Sequence, residues 1–392
     1  MKQPAARLLF GAVTIAVVLG SLELLARLAL VLLANDERFD FTPVAERFEE
    51  QTRQLGEILA RHDRLLALDD ELGWVYAPHA TSDLHSTNSR GLRGKREYAP
   101  RPPPGVARVA AFGDSFVFGI DVRDDEAWSA QAERMEPRVE VLNYGVGGYG
   151  TDQALLLYRR RGHELAPQLV VLGFPEADLA RNVNRYRRFL GTRDLPLFKP
   201  RFELDEHGEL SVIPNPFPGE AGARRVFEDA RLALEAGARD ELFEPLVWRN
   251  PLYDRSGLVR VASTIASRAW LSRLRPDRFY RGDEMSRDSQ AFAVLVAIVR
   301  AFTREVESAG ADFALVIFPI RDEDIWGSGR RGYAPLVEAL PGIAVLDLAD
   351  ALRADPEVTP ESLRTSGGHY SPVASRAAGR ALLGLLRERG LL

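Results

Sequence analysis

The stretch Val106-Ala-Arg-Val-Ala-Ala-Phe112-Gly113-Asp114-Ser115-Phe116-Val-Phe-Gly119 decides the fold. Its first seven residues form a short apolar run. A proline-rich segment, Tyr98-Ala-Pro-Arg-Pro-Pro-Pro-Gly105, precedes it, and a Gly-Asp-Ser turn follows. Such a run between breakers reads as a buried strand. The pattern then alternates. Glu126 to Met135 reads as a helix, Val139 to Leu142 as a strand, and Tyr144 to Gly150 as a glycine-rich loop. Thr151 to Glu164 reads as a helix with Thr151 or Asp152 near its cap, and Leu169 to Gly173 as a third strand. This rhythm predicts a three-layer α/β/α sandwich around a mainly parallel sheet. Ser115 then stands at the carboxyl end of a strand, where open α/β sheets collect ligands and catalytic groups. Its backbone N–H lies near a helix start, where an oxyanion can be held. A serine hydroxyl is a weak nucleophile until a general base lies within hydrogen-bond reach.

Towards the C-terminus the rhythm is interrupted and then resumes. Residues 195–290 hold a hairpin-like stretch, Phe202 to Ile213 around Asp205-Glu-His-Gly208, and otherwise helical sequence with Trp248 and Trp270. This reads as an inserted lid or subdomain. Gln290 to Ala309 is a helix, Ala311 to Phe318 and Ile343 to Leu348 are strands, and Ser371 to Arg387 is a closing amphipathic helix.

Towards the N-terminus, Leu8 to Ala34 is almost wholly apolar and longer than the roughly 20 residues a spanning helix needs. Lys2 and Arg7 precede it and Asp36 and Glu37 follow, a bias that places the N-terminus in the cytoplasm. A cleaved signal peptide is the alternative, but its apolar region is shorter and ends at a small-residue site. Glu23 and Arg27 interrupt the run at i, i+4. They read as a self-satisfied pair or, alternatively, as a contact to a partner membrane helix. Residues 36–66 carry Phe48, Leu55, Ile58, Leu59, Leu65 and Leu66 at helical spacing, a stalk or membrane-proximal helix. The expected organisation is an anchor over 1–35, a stalk and lead-in over 36–104, and an α/β domain over 105–392 with the insertion at about 195–290. The expected location is a bacterial-type cytoplasmic membrane, crossed once, with the α/β domain outside.

Composition narrows the chemistry. The 392 residues are 46% hydrophobic and 27% charged, enough for a large packed core. A net charge of -5 gives no electrostatic case for binding nucleic acid. Cysteine is absent, so disulfides, thiolate chemistry and Cys-ligated zinc are excluded. His79, His85 and Asp83 form the nearest approach to a metal cluster, at a spacing that fits a solvated loop better than a metal site. No cofactor and no metal are expected.

Phe112-Gly-Asp-Ser-Phe-Val-Phe-Gly119 resembles the first motif block of the SGNH/GDSL hydrolase family. Val141-Leu-Asn-Tyr-Gly-Val-Gly-Gly148 resembles the second, with Gly148 in the oxyanion-glycine place. Ser366-Gly-Gly-His369-Tyr-Ser-Pro372 resembles the last, and Asn88-Ser-Arg-Gly-Leu-Arg-Gly94 the lead-in of membrane-anchored members. The resemblance covers roughly residues 70–190 and 310–390. It implies Ser115 as nucleophile, His369 as base and then acid, and the Ser115 and Gly148 amides as oxyanion donors. It also implies an ester hydrolase or acyltransferase acting on O-acyl groups of a cell-surface glycan or other envelope component.

Two positions depart from the pattern. In Gly173-Phe-Pro-Glu-Ala177-Asp178, Ala177 stands where the family presents an asparagine whose amide completes the oxyanion hole. Ser366 stands where the family has the aspartate that orients the histidine. Loss of one oxyanion donor costs on the order of 10²–10³ in rate. Loss of the triad acid's function costs about 10⁴ in the serine-protease template. Asp178, Glu176, Glu361 and Asp347 are candidates for a relocated acid, and Asn182 or Asn184 for a relocated amide. The alternative function is a catalytically weakened carbohydrate-binding or assembly module. Arg159 to Arg161 and Arg181 to Arg188 read as solvated helix faces or as contacts to an anionic glycan or headgroup. Phe116, Phe118, Tyr144, Tyr149 and Phe174 read as core or as the floor of a sugar or acyl pocket.

Overall fold

A computed structural model describes residues 3–33, 40–60, 65–191, 194–274 and 279–392. The expected anchor–stalk junction at residues 34–39, residues 61–64 of the expected stalk and the Trp270 side chain lie outside the described residues. Helix α1 (Gln3–Leu32) contains a stretch, Arg7–Leu32, long and apolar enough to cross a membrane by length and composition. Helix α2 (Val44–Ala60) is no free stalk. Its first amides, Val44 N and Ala45 N, donate to Asp254 at 2.7 and 2.9 Å, and its Gln51 meets the buried Tyr186 hydroxyl. Leu66 leaves the helical stripe and begins an antiparallel hairpin, β1 (Leu66–Asp69) with β2 (Gly73–Tyr76).

The α/β body follows as β3 (Ala107–Phe112), the single turn α3 (Ser115–Phe118), α4 (Trp128–Met135), β4 (Val139–Asn143), α5 (Thr151–Arg161), β5 (Leu169–Phe174) and the short α6 (Asp178–Arg181). The segment expected as an insertion, about residues 195–290, holds the hairpin β6 (Arg201–Leu204) and β7 (Leu210–Ile213), then α7 (Gly219–Glu228) and α8 (Gly257–Leu274). Helix α9 (Gln290–Ser308), β8 (Asp312–Ile317), β9 (Ala344–Asp347) and α10 (Pro372–Glu388) complete the body.

One five-stranded sheet, in the order β9-β8-β5-β3-β4 and parallel throughout, forms the middle layer. Its strands are apolar on both faces because helices cover both. In β3, Val109 and Ala111 enter the core under α4 and α10, while Ala110 and Phe112 enter the core under α5 and α9. Full burial of side chains such as Leu172 and Phe112 contributes about 1.5–3 kcal/mol each. The chain leaves β3 for β4 on one side, then crosses to β5 on the other. That reversal opens a crevice beyond the carboxyl ends of β3 and β5, and ligands in such sheets bind there. Ser115 follows β3, and Ala177 follows β5.

The Glu23–Arg27 pair forms, with Arg27 Nε 2.8 Å from Glu23 Oε1. The same carboxylate also caps α8 within this chain, accepting from Ser256 Oγ (2.7 Å), Gly257 N (2.8 Å) and Leu258 N (3.0 Å). An acidic group is stabilising at these otherwise unsatisfied amides and at the positive end of the helix dipole.

Candidate active site

The turn after β3 depends on glycine. Gly113 has φ 152°, and a Cβ there would come within 2.5 Å of Val117 Cγ2 and 3.0 Å of Gly173 O. This conformation releases the chain from the strand at once. The Asp114 side chain then caps α3 by accepting from Phe116 N at 2.8 Å. Ser115 is the first residue of α3 and is 5% exposed. Its backbone N–H and that of Gly148 have no hydrogen-bond partner among the described residues. The loop carrying Gly148 is held from below by β2, because Trp74 Nε1 donates to Gly147 O and Gly147 N donates to the Tyr76 hydroxyl, both at 2.9 Å.

His369 arrives from the far end of the chain. Its loop is closed by Thr365 N donating to His369 O at 2.9 Å and leads directly into α10, capped by Ser371. The ring Nε2 lies 2.8 Å from Ser115 Oγ. Nδ1 lies 3.1 Å from Asp121 Oδ2. Asp121 also accepts from His369 N at 3.2 Å and from the Thr365 hydroxyl. Burial would raise the Asp121 pKa. The Thr365 and His369 hydrogen bonds outweigh burial and hold the carboxyl below its ordinary value. Gly367 makes room for this contact, since a Cβ there would stand 2.2 Å from Asp121 Oδ2.

Asp121 is positioned by the lead-in. Arg93 donates to Gly119 O at 3.1 Å and Val122 O at 2.7 Å, and His85 Nε2 donates to Ile120 O at 2.5 Å. Three carbonyls on either side of the carboxylate are thereby fixed. His85, read from the sequence as part of a solvated loop, has a structural task.

None of the four acids expected as candidates faces His369. Asp178 pairs with Arg181 at 2.8 Å, Asp347 meets Tyr333 and Arg331, and Glu361 is exposed beside Thr359. Glu176 is buried against Asp324 and Arg321. Ser366 is exposed in the turn. No local pattern in the sequence marks Asp121, which lies six residues after Ser115 on the loop leaving α3. Asn182 and Asn184 do not replace the missing amide: the first bonds Thr151 and Asp152 N, the second Tyr186 O and Asp240. Ala177 lines the cleft with Ser115, Gly148 and His369.

That cleft encloses about 780 Å³, and Leu65, Leu66, Ile120, Leu190 and Leu195 give it an apolar side. Phe116 packs on the His369 ring with centroids 4.7 Å apart. Phe118, Tyr144, Tyr149 and Phe174 are core residues, and Tyr144 stacks on Phe112 at 4.6 Å. The arginine runs are largely committed internally: Arg159 to Glu305, Arg160 to Asp69 and Arg161 to Glu164. Among the described residues no group of three or more His, Asp or Glu is placed to hold a metal. The arrangement suits attack by an alkoxide generated at Ser115: a base touches the hydroxyl, an acid fixes the base's tautomer, and two free amides lie nearby.

Glu176 has a consequence for stability. Burial, and then the neighbouring Asp324 carboxylate, push it up to about 8 against the pull of Arg321. A carboxyl that keeps its proton only when folded is fully favourable below its ordinary value of 4.5 and becomes a penalty as pH rises towards 8. Glu176→Gln should therefore stabilise the protein at pH 8.5 by about 2 kcal/mol and give no gain at pH 4, because it removes the titration. Urea unfolding at both pH values measures this. An equal change at both would show that Glu176 is not protonated in the folded state.

No family model and no curated protein matches the chain. Solved structures do. A structure described as a lipolytic protein of the G-D-S-L family from Desulfitobacterium hafniense DCB-2 is 14% identical, with 71% of this chain and 99% of that chain covered and a TM-score of 0.33. A lipase/acylhydrolase from Enterococcus faecalis is also 14% identical, covering 72% of this chain and 97% of its own, with a TM-score of 0.36. Likenesses this distant carry no argument about activity.

Proposed function

We propose that this chain is a serine-dependent ester hydrolase or acyltransferase of the SGNH/GDSL type. On this reading it is tethered by α1 with the α/β body on the extracytoplasmic side, and acts on O-acyl groups of a surface glycan or other envelope component. The observation that carries the reading is the relay from Ser115 Oγ to His369 Nε2 (2.8 Å) and from His369 Nδ1 to Asp121 Oδ2 (3.1 Å). His369 takes the hydroxyl proton as Ser115 Oγ attacks the ester carbonyl. The Ser115 and Gly148 amides receive the charge on the carbonyl oxygen. His369 returns the proton to the leaving alcohol, and water or an acceptor hydroxyl then releases the acyl group by the same steps in reverse. The apolar side of the cleft suits the acyl chain, and the open remainder suits a bulky alcohol portion.

Ala177 favours a second reading, a binding or assembly module with the shell of such a site. Labelling separates the two. Full-length protein in detergent micelles, treated with a fluorophosphonate probe, should be labelled, and Ser115→Ala should not. No labelling of the native protein, or equal labelling of both, overturns the enzyme reading.

A further inference from the structure

The site lacks the side-chain amide at Ala177 but has a guanidinium one helical turn further along α6. Arg181 Nη1 donates to Asp114 Oδ2 at 2.7 Å, to Tyr149 O at 3.1 Å and to Asp178 Oδ1 at 2.8 Å. The first two partners matter. Asp114 precedes Ser115 and Tyr149 follows Gly148, so this one group spans the gap between the two cleft-lining segments whose Ser115 and Gly148 amides have no partner among the described residues. Ser115 Oγ lies 3.3 Å from the same Asp114 Oδ2, so Nη1 and the nucleophile oxygen are no more than 6.0 Å apart. The other donors of Arg181, Nε and Nη2, have no hydrogen-bond partner among the described residues. The side chain is 17% exposed and lines the cleft.

We propose that Arg181 replaces the missing asparagine amide, its unspent guanidinium N–H groups completing the oxyanion site begun by Ser115 N and Gly148 N. The assignment rests on the hydrolase or acyltransferase reading above. When the Ser115 Oγ–carbon bond forms, the carbonyl π pair moves onto the oxygen and the hydroxyl proton onto His369 Nε2. The new negative charge lies two bonds from Oγ, in the cleft that Arg181 lines with Ser115 and Gly148. A cation there stabilises that charge more than it stabilises the neutral ester, which is the differential binding that accelerates the step. Of the two carboxylates beside Arg181, Asp178 is fully buried and pushed up, by burial first and then by Asp114, against the pull of Arg181 itself. An arginine keeps its proton in such surroundings, and Asp178 and Asp114 more than offset the effect of burial on Arg181 itself.

The test uses full-length protein in detergent with 4-nitrophenyl acetate as substrate. Arg181→Ala should lower kcat by about 10²–10³-fold with KM changed less than about threefold. Adding Ala177→Asn should then recover at least about tenfold of that loss, a gain several times larger than the same substitution gives in the native background. Added guanidinium ion should also partly restore Arg181→Ala. The proposal is overturned by an Arg181→Ala protein that retains activity within about threefold of native, or by a loss that neither Ala177→Asn nor guanidinium relieves, which marks Arg181 as structural. If Arg181→Ala does not fold, Arg181→Lys carries the same comparison, and equal gains from Ala177→Asn in the Lys and native backgrounds overturn the proposal. Failure of the wider reading looks different: native protein would then neither hydrolyse the ester nor label at Ser115.

Discussion

Asp121→Asn should lower kcat towards 4-nitrophenyl acetate by about 10⁴-fold while leaving the fold and KM nearly unchanged. The carboxylate accepts from His369 Nδ1 at 3.1 Å, which leaves Nε2 without a proton and able to accept from Ser115 Oγ at 2.8 Å. An amide at position 121 can present its NH₂ group to Nδ1 instead. That favours the other tautomer, with the proton on Nε2, where it cannot take one from serine. The carboxylate also stabilises the imidazolium formed during attack, and a neutral amide does not. Ser366→Ala provides the contrast. Ser366 is exposed, and the Nδ1 position behind His369 is already occupied, so kcat should stay within about threefold of native. Steady-state kinetics of the two variants reads out both effects. Similar losses in both, or no loss in Asp121→Asn, would remove Asp121 from the relay.

Lys199→Met should destabilise the protein by about 3–5 kcal/mol. Lys199 and Asp152 form an ion pair in which both side chains are 0% exposed. Lys199 Nζ also donates to Pro200 O at 3.1 Å. Two charges in so dry a place are tolerable only together. Removing the ammonium strands a carboxylate in the first turn of α5, two residues beyond the Gly150 end of the oxyanion loop. The double variant Asp152→Asn/Lys199→Met removes both charges and should recover more than half of the loss. Chemical denaturation of the single and double variants tests this. A single-variant cost below about 1 kcal/mol would mean that the pair carries little stability.

The architecture was legible because its signals are local. The strand at 106–112 and the observed β3 (Ala107–Phe112) agree within a residue. The hairpin expected at Phe202 to Ile213 is β6 and β7, and the helix expected at Gln290 to Ala309 is α9. Such segments declare themselves through breakers and periodicity, which burial on two faces of a sheet imposes on adjacent residues. The lead-in was less legible. Leu65 and Leu66 continued a helical stripe by spacing, yet Leu66 enters β1, where pairing with Tyr76 prevails over the local pattern. By spacing, Glu23 reads as a pair with Arg27 or as a contact to a partner membrane helix, and its carboxylate also caps α8 more than two hundred residues away.

For the site, sequence alone placed Ser115 at the end of a central strand, Gly148 on the next strand's loop and His369 before the closing helix. A parallel sheet delivers the loops after its strands to one edge, which accounts for Ser115 and Gly148; the places of Gly148 and His369 are what the resemblance to the family's motif blocks implies. The acid and the extra cation were decided only by tertiary structure. Asp121 and His369 are 248 positions apart, and nothing in the sequence near either one names the other. Which carboxylate reaches Nδ1 depends on where Arg93 and His85 hold the 119–122 loop, and on Gly367 having no side chain to fill the gap. Which donor stands in for Ala177 depends on the direction in which α6 leaves the sheet. These are distances through space between loops, set by the packing of α10 and the lead-in against the sheet, and no local pattern encodes them.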